Sequence, residues 1–218
     1  MNPELHIELR TERPEDYRRV EILTREAFWN VYAPGCSEHY LVHIMRDSAD
    51  FIPELDVVAL ADGKIVGNIM YTHSAICTPN GERFPIITFG PISVLPEYQS
   101  RGIGGALIEK TKKMAKDLGY QAIAIVGDPE YYKRFGFVSG ESKGVRTADG
   151  KFAAALQVCE LVPNALEGKQ GNLQEAEIFE KVTVEASEEF DKGFIAKEKK
   201  SGLSSQQRFA ELVAMVHD

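Results

Sequence analysis

The run Val94-Leu95-Pro96-Glu97-Tyr98-Gln99-Ser100-Arg101-Gly102-Ile103-Gly104-Gly105-Ala106-Leu107-Ile108 carries a strand through a glycine-rich bend into an amphipathic helix. Glycines let backbone approach a ligand closely. The first N–H groups of the helix have no intrahelical partner and sit at the positive end of its macrodipole. The chemistry on offer is anion binding, with a phosphate or pyrophosphate as the natural guest. Arg101 adds a positive charge beside this cradle, and any side chain at Gly102 or Gly104 would stand between backbone and phosphate.

A second group of residues can move protons or hold charge. Tyr131 and Tyr132 are adjacent on a short helix that begins after Asp128-Pro129. A helix turns by about 100° per residue, so only one of the two phenols can face a given reaction centre. Asp128, at a strand end, reads as the N-cap of that helix, with binding of an acceptor as the sharper alternative. His39 and His43 share a helix face without a third ligand, which points to an exposed or partner-facing surface. His73 reads the same way unless its strand turns it into a cleft, where it would be a base. Trp29, Tyr32 and Tyr40 have core packing as the default and a pocket wall as the alternative. Cys36, Cys77 and Cys159 are odd in number and far apart, giving neither a disulfide framework nor a zinc site.

Elements that could position these groups follow from periodicity. Leu5 to Arg10 alternates like a half-buried strand, and Pro14 opens a helical pattern through Phe28. Ser37 is an N-cap for a helix over 38–46. Strands over 56–61 and 64–76 join through Asp62-Gly63, and Asn80-Gly81 marks a second hairpin. The strand-like segment 83–95 is interrupted by Gly90-Pro91, which predicts a bulge or a local loss of pairing. A helix over 102–118, stopped by Gly119, precedes a buried strand over 121–126, a short helix over 130–134 and a strand opening at Gly136-Phe137. Residues 151–162 read as one strand, 168–172 as a loop, and the charged segment from Glu175 onward ends in a helical tail over 206–216.

The sequence has 218 residues, 44% hydrophobic and 27% charged, which suits one substantial soluble core. The net charge of −8 argues against nonspecific binding to nucleic acid or an anionic membrane. No basic-then-apolar leader is visible in residues 1–8 and no apolar run approaches membrane-spanning length, so a cytoplasmic location is expected.

Gln99-x-x-Gly102-x-Gly104, after a bulged strand and before a helix, resembles the Gln/Arg-x-x-Gly-x-Gly/Ala signature of the GCN5-related N-acetyltransferase (GNAT) superfamily. The order of elements over about 4–162 agrees, and 127–137 is similar to a bacterial subgroup. The resemblance implies an α/β (α+β) fold: a central mixed, mostly antiparallel twisted sheet with a splay between central strands, flanked by helices. It implies a GNAT domain over 1–165 and a partly helical extension over 166–218, packed on the same domain. Acetyl-CoA, as cosubstrate and without a metal, is expected over Gln99, Ser100, Arg101, Gly102, Ile103, Gly104, Gly105 and Ala106, with its pantetheine arm in the splay. A backbone N–H between Ile92 and Val94 would receive the oxyanion.

Tyr132, four residues before the Gly of Gly136-Phe137, occupies the family's general-acid position. The implied reaction is acetylation of a primary amine, on a small molecule or a peptide, by direct attack in a ternary complex. A homodimer is compatible with this reading. Two other classes compete with it: a noncatalytic acyl-CoA sensor or partner-binding module, and a nicotinamide-dependent oxidoreductase suggested by Gly102-x-Gly104 followed by Asp128. Leu107 at the sixth fingerprint position and the antiparallel-looking strands count against the last.

Overall fold

The computed structural model describes residues 6–218; Leu5 and the leader positions before it lie outside the described residues. Its elements are β1 (Ile7–Thr11), α1 (Tyr17–Phe28), α2 (Glu38–Met45), β2 (Val57–Ala61), β3 (Lys64–Cys77), β4 (Arg83–Val94), α3 (Ile103–Asp117), β5 (Ala122–Val126), α4 (Pro129–Tyr132), β6 (Val138–Ser139), β7 (Val145–Arg146), β8 (Phe152–Ala153), β9 (Leu156–Glu160), β10 (Gly171–Gln174), α5 (Val184–Asp191), α6 (Ser204–Ala214) and β11 (Val216–His217). A nine-stranded sheet runs β1-β2-β3-β4-β5-β9-β6, with β10 beside β3 and β7 beside β10, and β8 pairs with β11 separately.

All pairs are antiparallel except β4 with β5 and β7 with β10. That arrangement excludes the doubly wound parallel sheet that a dinucleotide fingerprint needs.

Burial sorts the faces. β2 is buried along its whole length, as expected of a strand covered on both sides. On one side α3 lays down Ile103, Leu107, Ile108, Thr111 and Ala115, and the Tyr71 hydroxyl on β3 meets Thr111 Oγ1 at 2.8 Å. On the other side α1 buries Val20, Leu23 and Thr24, whose hydroxyl accepts from Ser93 Oγ of β4 at 3.1 Å. The long helix and the first two helices thus hold β4 between them, which fixes the strand that faces the cradle.

Several expectations change. The Ser37 side chain does not cap α2; instead Ser37 N–H donates to the carboxylate of Glu38 at 3.0 Å. The strand expected over 151–162 is split into β8 and β9, and the loop expected over 168–172 runs into β10. β10 forms because Asn172, Leu173 and Gln174 pair with Cys77, Ile76 and Ala75, a long-range partner that local composition does not reveal. The tail helix starts at Ser204 and stops at Ala214, where Val216 turns into a strand against Ala153.

His39 is not on an exposed face. It is fully buried, its Nε2 lies 3.1 Å from Asp191 of α5, and its ring packs on Phe190 and Phe194. The same Asp191 takes a bidentate pair from buried Arg25, Nε at 2.5 Å and Nη2 at 3.0 Å. His43 is half-exposed, 2.8 Å from Glu21. The partner that α2 lacks in a local reading is therefore this chain's own C-terminal segment.

Burial pulls His39 down to about 4, against the nearby Asp191 carboxylate. The folded chain keeps it neutral while the unfolded chain protonates it near the ordinary 6.5, so the unfolded state binds more protons between those values. Its stabilising contribution is complete above about pH 6.5 and declines on acidification towards pH 4, by up to about 1.4 kcal/mol per pH unit. Urea unfolding at pH 7 and pH 5 is expected to show this loss, and His39→Gln to flatten it; parallel slopes would remove His39 as the cause.

Candidate active site

The predicted break in β4 is present. Ile69 pairs with Ile92 but Tyr71 pairs with Phe89, so β4 carries one residue more than β3 across Gly90-Pro91. Pairing of β4 with β5 is confined to Ile87–Ile123 and Thr88–Ala124. Beyond those pairs β4 bonds only β3 and β5 only β9, leaving a wedge between the two central strands.

Backbone alternation decides which groups line the wedge. Leu95 N–H donates to Val66 O on β3 at 2.9 Å. Successive strand amides point to opposite sides, so Ser93 also faces β3, and the N–H groups of Ile92 and Val94 face the wedge.

At the wide end of the wedge is the cradle. Gly102 caps α3 with φ +82°, in the left-handed region that glycine adopts without steric cost, and Ser100 shares that region at φ +59°. The first intrahelical bond runs from Ala106 N–H to Gly102 O at 2.9 Å, so the N–H groups of Ile103, Gly104 and Gly105 have no partner within the helix. Ser100, Arg101, Gly102 and Ala106 are exposed, Gly104 and Gly105 half-buried, and Ile103 buried in the core. Arg101 lies 5.6 Å from the Tyr98 ring. Gln99 uses its side chain to close the bend, donating from Nε2 to Val94 O at 3.0 Å, so it contributes shape to the cradle.

Both tyrosines of α4 face inward, in different directions. A Cβ on Gly104 would come 2.6 Å from the Tyr131 hydroxyl, which places that phenol over the first turn of α3. The Tyr132 ring lies against Gly127 at the end of β5, and its neighbours are Phe89 of β4 at 5.8 Å and Phe137 at 5.7 Å. Tyr132 therefore sits at the wedge and Tyr131 at the cradle. Burial pushes the Tyr132 phenol well above its ordinary value, with the phenols of Tyr32 and Tyr131 adding to the effect. At neutral pH it is held protonated.

Asp128 is the N-cap of α4, its Oδ1 accepting from Glu130 N–H at 3.0 Å. Its other oxygen pairs with Arg208 of α6. His73 is exposed and packs by Tyr120 just beyond the C-terminal end of α3, about 20 Å along that helix from the cradle, so it does not face the wedge. Trp29 and Tyr32 line a cavity beside α2, whereas Tyr40 packs on Phe190.

Sequence reasoning does not single out Glu38, Lys199 or Arg208. Lys199 has only the charge pattern as a signal, the lysine-rich run Lys197 to Lys200 after an acidic stretch from Glu175, and Glu38 and Arg208 have no local signal. Among the described residues, no group of His, Cys, Asp and Glu is arranged to hold a metal, and no helix is long and apolar enough to cross a membrane.

Residues 54–139 match the acetyltransferase (GNAT) domain family. The chain is 28% identical over 172 residues to the uncharacterized N-acetyltransferase YhbS of Escherichia coli K12, covering 78% of this chain and 97% of that protein. A crystal structure of the E. coli protein in complex with CoA superposes with a TM-score of 0.73 at 27% identity, over 83% of this chain and 95% of that one. Over most of its length the chain is similar to GNAT acetyltransferases. A second GNAT acetyltransferase, from Brucella melitensis and bound to acetyl-CoA, has a TM-score of 0.64 and 28% identity, over 81% of this chain and 99% of that chain.

Proposed function

We propose that this protein is a GNAT enzyme that transfers an acetyl group from acetyl-CoA to a primary amine by direct attack in a ternary complex. The observation that carries the reading is the wedge between β4 and β5 opening onto the unpaired N–H groups of α3. Acetyl-CoA, when bound, supplies an activated thioester and an anionic pyrophosphate.

The donors for the pyrophosphate are the N–H groups of the bend and first turn, from Ser100 to Ala106, with Arg101 as the nearby positive charge. The left-handed conformations of Ser100 and Gly102 favour an anion-binding concavity. Tyr131, over Gly104, closes this end of the site.

The N–H groups of Ile92 and Val94 are the oxyanion donors, fixed before any ligand arrives because β4 is paired with β3 on its other side. As the amine nitrogen bonds to the acyl carbon, the carbon–sulfur bond breaks and the thiolate takes a proton from Tyr132. Burial keeps the Tyr132 phenol protonated at neutral pH, so it holds a proton to give, and the developing thiolate beside it supplies the drive for the transfer. The extra amine proton leaves to solvent, and a proton from solvent returns the Tyr132 phenolate to the phenol. The catalytic unit is read as 1–165, with 166–218 as an extension that packs on it.

The test is thermal unfolding with acetyl-CoA, CoA and NADH. A ligand at 100 times its Kd stabilises the native state by about 2.7 kcal/mol. Acetyl-CoA and CoA are expected to raise Tm and NADH to leave it unchanged. A rise with NADH alone would overturn the proposal.

A further inference from the structure

The extension that buries His39 also roofs a cavity of about 150 Å³ beside the α1–α2 loop. Phe28, Trp29 and Tyr32 supply aromatic walls, and Glu38, Glu188 and Asp191 supply carboxylates. Aromatic faces with carboxylates are the chemistry that holds an organic cation. Two of the carboxylates already have cations, Asp191 with Arg25 and Glu188 with Lys199. Glu38 accepts a hydrogen bond from Ser37 N–H, and no side-chain cation lies within ion-pair distance of it among the described residues. A carboxylate lining a small cavity without a counter-ion is unfavourable alone and favourable once an ammonium enters.

One primary ammonium is already there. The Lys199 stem crosses Gly35, where a Cβ would come 3.2 Å from Lys199 Cε, and its Nζ reaches Glu188 at 2.5 Å. The segment delivering it is pinned by its backbone. Glu198 O accepts from Trp29 Nε1 at 2.9 Å and Asn30 Nδ2 at 3.0 Å, while Lys200 N–H donates to Asn30 Oδ1 at 3.0 Å.

The cavity is linked through α6 to the helix that carries Tyr132. Its wall residue Tyr32 stacks on Phe209 of α6 at 4.3 Å, and the adjacent Arg208 holds Asp128, the cap of the helix that carries Tyr132. Burial, with the Glu38 and Asp128 carboxylates adding to it, pushes the Tyr32 phenol above its ordinary value.

We propose that this cavity binds a primary alkylammonium group of the acceptor, with Glu38 as its counter-ion, and that Lys199 fills it as a tethered competitor when no acceptor is bound. The proposal rests on the acyltransferase reading above for the role of the bound amine, and it narrows the acceptor to a short diamine or a lysine side chain. Both present the same alkylammonium, so binding separates the two sources.

The experiment is calorimetric titration of the full chain, without acetyl-CoA, using 1,5-diaminopentane, a lysine-containing tripeptide and 1-pentanol as uncharged control. At least one cation is expected to bind and the alcohol not to bind. Lys199→Met, which keeps the stem and removes the charge, should tighten binding at least fivefold. Glu38→Gln, whose amide oxygen can still accept from Ser37 N–H, should weaken it at least tenfold. Both variants should keep the wild-type Tm shift with acetyl-CoA, which also excludes misfolding as the cause.

Absence of binding of either cation to wild type and Lys199→Met overturns the site. Equal affinity in Glu38→Gln overturns its role as counter-ion, and equal affinity in Lys199→Met overturns the tethered competitor. Because no acetyl-CoA is present, amine binding without any acetyl-CoA shift would sink the acyltransferase reading alone.

Discussion

Tyr132→Phe is expected to lower kcat for acetyl transfer by about a hundredfold or more, within the range for loss of a general acid, and to leave acetyl-CoA affinity within about twofold. The asymmetry follows from what the ring and the hydroxyl each touch. The ring fills the space over Gly127 between Phe89 and Phe137, and phenylalanine keeps those contacts. Only the proton is lost. A thiolate leaving without a donor must depart as an anion beside an apolar cluster, which raises the barrier of that step while leaving ground-state binding intact. Single-turnover thiol release alongside calorimetric binding of acetyl-CoA checks both halves. Wild-type kcat in the variant would remove Tyr132 from the proton path, and a matching fall in affinity would make it a cofactor wall.

Gly104→Val is expected to act on the other end of the site, weakening acetyl-CoA binding by about 10- to 100-fold with only a small loss of stability. The new Cβ would come 2.6 Å from the Tyr131 hydroxyl, so Tyr131 must move. The branched side chain would also stand above the N–H groups of the first turn. A hydrogen bond to a charged group contributes about 1.5–3 kcal/mol, and about 1.4 kcal/mol is a factor of ten in Kd, so losing one such bond accounts for that range. The cost to α3 itself is small, because valine in place of glycine is no worse for helix propensity. Calorimetry for Kd and a melting curve for the apo protein separate the two effects; unchanged Kd would place the pyrophosphate elsewhere.

What could be read from sequence was whatever local chemistry determines. The cradle depends on Gly102 and the helix period after it, and the bulge depends on Gly90-Pro91; in both cases the responsible residues are neighbours. The two tyrosines of α4 show where this reasoning stops. Helical rotation separates Tyr131 from Tyr132, but only the positions of α3 and β5 show that one reaches Gly104 and the other Gly127. Burial of His39, the strand at Gly171–Gln174 and the cavity at Glu38 all require partners more than 90 residues away. Each was hidden for the same reason: the stabilising contact is non-local and the local composition is polar or glycine-containing.

The strand Gly171–Gln174 has a further effect. β2 ends opposite the first half of β3, and the remaining backbone of Ala75, Ile76 and Cys77 would otherwise form an open sheet margin of apolar residues. Unpaired strand margins invite pairing with other chains. By occupying that margin, and by carrying the helix that buries His39, the C-terminal segment removes an open edge while it shapes the pocket. The covered sheet margin and the proposed ammonium pocket therefore depend on the same stretch of chain, and a change that loosens one is expected to be felt by the other.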